Sequence, residues 1–216
     1  PHNQVPAGRL NIRYQRMFAG AFMYAGGLHI GIEWPQFQEM VKGEPVIADA
    51  EGKYQSGSLF GWGLSHEIGH EINEGAYAVA EVTNNYYPLL AKARDTNDSL
   101  RFKYEDVFKK TISGARGKAS DGAVQLAMYW QLHLAYDMGG YNFKTFDTSK
   151  EQLENLIFAR MDSYVRKPSS APGAEGNKLK LSGTDKDNVL MRLAAAAARK
   201  DLLDFFRHWG MEPDAD

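Results

Sequence analysis

Two histidines four residues apart, with a glutamate directly after the first, are the residues best placed to do chemistry in this chain. They are His66, Glu67 and His70, in the run HEIGH at 66–70. On a helix, residues i and i+4 lie one turn apart on one face, about 6 Å between side-chain bases. Two imidazoles so placed converge on one tetrahedral ion, and zinc is the metal such ligands suit. Glu67 flanks the pair and reaches the attacking water without being a ligand. Ile68 and Ile72 face the other way, into a core. The chemistry expected is hydrolysis with Glu67 as general base.

A catalytic zinc takes three protein ligands and keeps one position open. Residue 73 is Asn and residue 76 is Ala, so no third histidine follows at the spacing of the longer HExxH motifs. The carboxylates nearby are Glu71, Glu74 and Glu81. Glu71 is rotated off the metal face. Glu74 is on that face but a full turn beyond His70. Glu81 is favoured, on a second helix predicted from about Ala76 to Ala93 that folds back against the first. Asn85, one turn after Glu81, is placed to hydrogen-bond the far nitrogen of a histidine ligand, with Asn84 as its rival.

The tetrahedral oxyanion of hydrolysis needs a donor besides the metal. Tyr129, His133 and Tyr136 on an apolar helix are candidates, as are Tyr86 and Tyr87. Trp62, one turn before His66, either lines a cleft, where it would stack on a sugar, or packs in the core. The strand region Tyr24–Ile32, with Gly26, Gly27 and Gly31, offers an edge for an extended substrate. His29 there reads as structural rather than as a ligand.

These groups need elements to hold them. The chain has 216 residues, 44 % apolar and 24 % charged, which suits one compact domain. Residues 12–32 read as short alternating strands broken at Gly26-Gly27, and residues 44–58 as loop around a short strand at Val46-Ile47. Leu64, Ile68 and Ile72 mark the metal-binding helix. A short helix is expected over Tyr104–Thr111. Ser120 and Asp121 offer an N-cap to a strongly apolar helix ending near Gly139-Gly140. Thr148 and Glu151 have capping-box spacing before Leu153, Ile157, Met161 and Tyr164. Pro168 to Gly183 reads as loop. A last helix is predicted from about Lys186 to Trp209, closed by Gly210. The fold class expected is α+β, predominantly helical: a strand- and loop-rich portion over 1–60 and a helical portion over 61–216, in one catalytic domain.

Composition excludes several functions. A formal net charge of −2 gives no electrostatic argument for nucleic acid or anionic lipid. The absence of cysteine removes thiolate catalysis, disulfides and Cys-rich zinc sites. No apolar run reaches the roughly 18 residues of a membrane span. A chain that begins at Pro1, with no signal-peptide pattern, reads as a piece of something longer.

HEIGH at 66–70, followed after ten residues by EVTNN at 81–85, resembles the enhancin-like, M60-like metallopeptidases. YWQLHLAYD at 129–137 and KDLLDFFRHWGM at 200–211 extend the resemblance from about residue 20 to the end. It implies a zincin-like fold of gluzincin type, with His66, His70 and Glu81 as zinc ligands and Glu67 as general base. It also implies a secreted or cell-surface enzyme, a monomer within a larger multidomain protein, that cleaves glycoproteins with O-linked glycans such as mucins. Where relatives often carry Ser and Gly before the K-D-L segment, this chain has Ala195 and Arg199. Two other functions compete: a zinc aminopeptidase or general endopeptidase without glycan dependence, and a non-catalytic glycan-binding or adhesion module. The intact set of His66, Glu67, His70 and Glu81 argues against the last.

Overall fold

The computed structural model describes residues 8–18, 20–42, 47–48, 54–55, 62–94, 102–114, 121–137, 156–172, 179, 181 and 185–214. The chain divides into two compact units, Pro1–Asn73 with Thr83–Leu100, and Glu74–Val82 with Arg101–Asp216.

The first unit is built on a three-stranded sheet. Its strands are β1 (Asn11–Tyr14), β2 (Met23–Ala25) and β3 (His29–Ile32), in the order β1-β3-β2. β1 runs parallel to β3 and β2 antiparallel to it. Gly27 and Leu28 both have positive φ, 46° and 63°, as a two-residue type I′ hairpin requires. Gly26 N–H donates to the His29 carbonyl at 3.0 Å and closes that turn. Side chains alternate across the sheet, so Met23, Ile30 and Ile32 are buried together on one face. Leu10, Phe37, Met40, Leu64 and Ile68 pack on them. Two of those come from helix α1 (Gln36–Lys42). A two-stranded ribbon, β4 (Ile47–Ala48) with β5 (Tyr54–Gln55), follows.

Helix α2 (Ser65–Ile72) is the element that matters. A wider π-type turn at 62–64 leads into it. Its Ile68, with Leu64 just before, holds it on the sheet and leaves the opposite face to His66 and His70. Fully burying an Ile is worth about 2 kcal/mol, so Ile30 and Ile32, both at 0 % exposure, make a firm seat.

The helix expected over 76–93 is not continuous. Residues 75–82 form turns, Thr83–Asn85 is a single 3₁₀ turn, and α3 runs Tyr86–Arg94. Glu81 has φ of 63°, which a right-handed helix excludes. Pro88 lies in the first turn of α3, where its missing N–H breaks no helix bond. It therefore starts a helix rather than kinking one.

The second unit is helical: α4 (Tyr104–Ile112), α5 (Gly122–Asp137), α6 (Ile157–Arg166), α7 (Lys186–Ala198) and α8 (Leu203–His208). α5 is buried on nearly every side, as an all-round apolar helix must be. Asp121 caps it, Oδ1 accepting from Ala123 N at 2.9 Å and Val124 N at 3.2 Å. Asp137 at its far end accepts from Ile157 N at 2.7 Å and so caps α6. Ser120, Gly139-Gly140, Thr148, Glu151 and Leu153 lie outside the described residues.

The last predicted helix is two. Arg199 adopts a left-handed conformation, φ 53° and ψ 40°. Lys200 N–H then reaches Ala195 O and Arg199 N–H reaches Ala196 O, both at 3.3 Å. α8 restarts under Asp201, whose Oδ1 accepts from Leu203 N. Gly210, at φ 74°, ends α8 with the same Schellman pattern, Gly210 N to Arg207 O and Met211 N to Phe206 O. Arg199 thus occupies a position that suits glycine.

Candidate metal centre

His66, Glu67 and His70 present ligand atoms within 4.8 Å of one another. The two Nε2 atoms are 3.2 Å apart and the rings stand at 87°. Two nitrogens each about 2.05 Å from one ion, at that separation, subtend about 103°, close to tetrahedral. The donor set therefore fits zinc. Glu67 is only 7 % exposed, so its carboxylate faces the pair from a poorly hydrated position.

Asn85 sets the tautomer of His66. Its Oδ1 lies 2.6 Å from His66 Nδ1. An amide oxygen only accepts, so Nδ1 carries the proton and Nε2 keeps its lone pair. That is the ring state a metal ligand needs, held by an outer partner.

Asn84 does something different. It is fully buried, with Nδ2 3.0 Å from His70 Nε2 and 3.1 and 3.2 Å from the two ring nitrogens of His66. Being equidistant from both nitrogens, the amide lies against the His66 ring, out of line with the Nε2 lone pair. Nδ2 is also 3.4 Å from the His66 carbonyl. The Asn84 Oδ1 has no hydrogen-bond partner.

Both asparagines reach α2 because of Gly69. A Cβ at Gly69 would sit 2.5 Å from the Asn84 carbonyl oxygen, 2.8 Å from Tyr87 Cδ2 and 2.9 Å from Asn84 Cβ. Residue 69 must be bare for the Thr83–Asn85 turn to dock. Sequence reasoning passed over this residue. The signal was there: a glycine inside a helix costs about 1 kcal/mol and asks for a packing reason.

The other candidates fall as follows. Glu71 turns away from the pair and accepts from Leu28 N at 3.2 Å, tying α2 to the hairpin. Glu74 pairs with Arg166 at 2.6 Å in the second unit. Glu81, also in the second unit, is exposed on a turn and not on a helix, and the group of His66, Glu67 and His70 does not include it. Tyr86 is buried, and Tyr87 covers Gly69.

Several cleft assignments need correction. Trp62 is 4 % exposed and offers no open face to a sugar. Tyr129 is 2 % exposed, its phenol pushed up by burial and then by nearby Asp187. His133 is fully buried, with Nδ1 2.6 Å from Asp137 Oδ2. Closed inside their own core, these two cannot meet an oxyanion. Tyr136 is half-buried. The strand edge also reads differently. β3 is paired on both sides, and a Cβ at Gly31 would fall 2.1 Å from the Tyr24 ring. Gly31 makes room for Tyr24, not for substrate. His29 Nε2 lies 2.7 Å from Tyr24 Oη, and the group of His66, Glu67 and His70 does not include it.

A helix pinned to a small sheet thus presents two histidines and a buried glutamate as a group that could hold a metal ion. The comparisons with known proteins identify the family. Residues 9–210 match the family described as Peptidase M60, enhancin and enhancin-like, and the chain belongs to that family of metallopeptidases. Accessory colonization factor AcfD of Vibrio cholerae is 29 % identical over 168 residues, covering 70 % of this chain and 11 % of that protein. The M60 catalytic domain of Clostridium perfringens ZmpC, solved in complex with the sialyl T antigen, superposes with a TM-score of 0.57 at 23 % identity. It is matched over 96 % of this chain and 35 % of its own. The catalytic module of the metalloprotease ZmpA from the same organism gives 0.61 at 21 % identity, over 96 % and 34 %. The chain thus spans about a third of these solved chains and about a tenth of the curated relative. Among the described residues no helix is long and apolar enough to cross a membrane.

Proposed function

We propose that this chain carries the zinc centre of an endopeptidase that cleaves glycoproteins, O-glycosylated mucin-like chains above all. The observation that carries the reading is the pair of ring nitrogens 3.2 Å apart beside a buried glutamate. His66 and His70 would hold the ion. Glu81 would complete the set, a reading supported by its place in EVTNN, the segment that also brings Asn84 and Asn85 to the histidines.

A bound zinc ion supplies Lewis acidity, polarising the scissile carbonyl and making the attacking water more acidic. The chain does the rest. Glu67 takes a proton from the attacking water and returns it to the leaving amine. Asn85 keeps His66 in the tautomer whose Nε2 carries the lone pair. The glycoprotein preference rests on family membership, and on a solved relative whose catalytic domain holds a glycan antigen. A secreted or surface location, within a larger protein, goes with the same reading.

The test is digestion of a mucin and its deglycosylated counterpart with zinc supplied, new termini being located by mass spectrometry. Cleavage confined to the glycosylated form, next to modified Ser or Thr, is expected. Glu67→Gln should lose at least about 100-fold in rate while keeping its zinc, and Glu81→Gln should lose zinc itself. A Glu67→Gln protein as active as the parent would remove the catalytic assignment. Cleavage of both substrates would remove the glycan requirement, and loss of activity on N-terminally blocked peptides would indicate an aminopeptidase.

A further inference from the structure

The sheet has a second face that the metal centre does not use. Ile30, Ile32 and Met23 occupy the core face, so Arg13, Tyr24, His29 and Gly31 share the other. Arg13 and Tyr24 flank Gly31 in one row, and His29 precedes it by two residues. Two glycines clear the ground. A Cβ at Gly31 would fall 2.1 Å from the Tyr24 ring, and one at Gly26 would fall 3.2 Å from it. The ring therefore lies across β3 and delivers its hydroxyl to within 2.7 Å of His29 Nε2. Arg13 Nη2 arrives from the opposite side, 2.9 Å from the same Nε2 and 3.4 Å from Tyr24 Oη.

Three strands thus bring three donors to one point. Arginine has five N–H groups and accepts nothing, and His29 Nε2 offers one lone pair or one proton. The Tyr24 hydroxyl and the Arg13 guanidinium cannot both use one lone pair. Arg13 Nη2 donates to the Tyr24 hydroxyl oxygen, which in turn donates to His29 Nε2; this engages one edge of the guanidinium, and no carboxylate of the described residues pairs with Arg13. The neighbouring acid, Glu33, is engaged by Met17 N and Trp34 N. Asn11, opposite His29, turns its amide to the Arg9 carbonyl.

We infer that Arg13, Tyr24 and His29 form a binding site for a carboxylate group of an acidic ligand, on the face of the sheet away from its core. Two oxygens in a plane match the guanidinium fork, and such charge-assisted pairs are the stronger kind. The Tyr24 hydroxyl donates to one of those oxygens, and His29 Nε2 then accepts from Arg13.

The test is an NMR titration of the chain, labelled on histidine and arginine, with acetate and separately with inorganic phosphate. Ionic strength is held constant with chloride. Acetate should move the His29 ring and Arg13 guanidinium signals along one saturable curve and leave those of His66 and His70 in place. Arg13→Gln, at an exposed position, should weaken the response about tenfold, with an unchanged melting midpoint. A shift without saturation, or one that survives Arg13→Gln, overturns the site. A response to phosphate alone overturns the carboxylate assignment. The readout needs neither metal nor peptidase activity, so its failure leaves the metal centre untouched.

Discussion

Replacing Gly69 by alanine tests the central packing claim with one methyl group. The new Cβ would lie 2.5 Å from the Asn84 carbonyl oxygen. Ordinary contact begins near about 3.5 Å, so the Thr83–Asn85 turn must retreat by about 1 Å. The 2.6 Å bond from His66 Nδ1 to Asn85 would stretch to about 3.6 Å, past the hydrogen-bond limit. Overpacking costs about 1–3 kcal/mol, and alanine returns about 1 kcal/mol of helix propensity. The net loss is therefore about 1 kcal/mol, or about 2–4 °C in melting midpoint for a chain of this size. Metal binding suffers more, because loss of an outer partner typically costs 10- to 100-fold in affinity, here about 10-fold or more. The assay is zinc affinity by competition with a chromophoric chelator, with thermal melting followed by circular dichroism alongside. A variant that binds zinc like the parent and melts no lower would refute the close-approach argument, since helix propensity would then be the whole effect.

Two further outcomes follow from the second unit. Asp162 is carried from its ordinary value up to about 7, chiefly by burial and further by Glu74, with the Tyr77 hydrogen bond and Arg166 opposing. The folded protein keeps a proton that the unfolded chain releases, so this stabilisation is complete below about pH 4 and is lost as pH rises through about 7. Asp162→Asn keeps an oxygen for Tyr77 and should flatten the pH dependence of the melting midpoint over that window. A slope identical to the parent's would place the titration elsewhere. Arg199→Gly relieves a left-handed residue and should stabilise the chain by about 1 kcal/mol. A lower melting midpoint would mean that the arginine side chain contributes more than its backbone costs.

Much of the centre was legible because its logic is local. HEIGH gives helical spacing and ligand chemistry together, and Ile68 on the far face says where the helix must rest. Asp121 and Gly210 marked helix ends through side-chain and backbone rules that act within a few residues. The strand break expected at Gly26-Gly27 was legible for the same reason, although the turn itself is centred on Gly27 and Leu28. The predicted continuous helices over 76–93 and 186–209 were not found, because each contains a residue at positive φ, Glu81 and Arg199. Neither residue type announces that conformation, so only its surroundings can impose it.

The sequence by itself determined which atoms can bind a metal and which helix face presents them, since a covalent spacing of four residues and a 3.6-residue turn decide both. Tertiary structure alone decided how the histidines are held. Asn84 and Asn85 lie 14 to 19 residues away in the chain from the rings they touch, and adjacent in sequence they take different tasks. Asn85 holds a ring nitrogen and Asn84 lies against a ring. Which does which depends on how closely a turn approaches a helix, and that distance is set by the missing side chain at Gly69. Burial was decided the same way. Trp62, Tyr129 and His133 carry groups suited to a cleft, yet packing encloses them, because an aromatic residue's pattern in sequence is the same whether its face meets a ligand or a core.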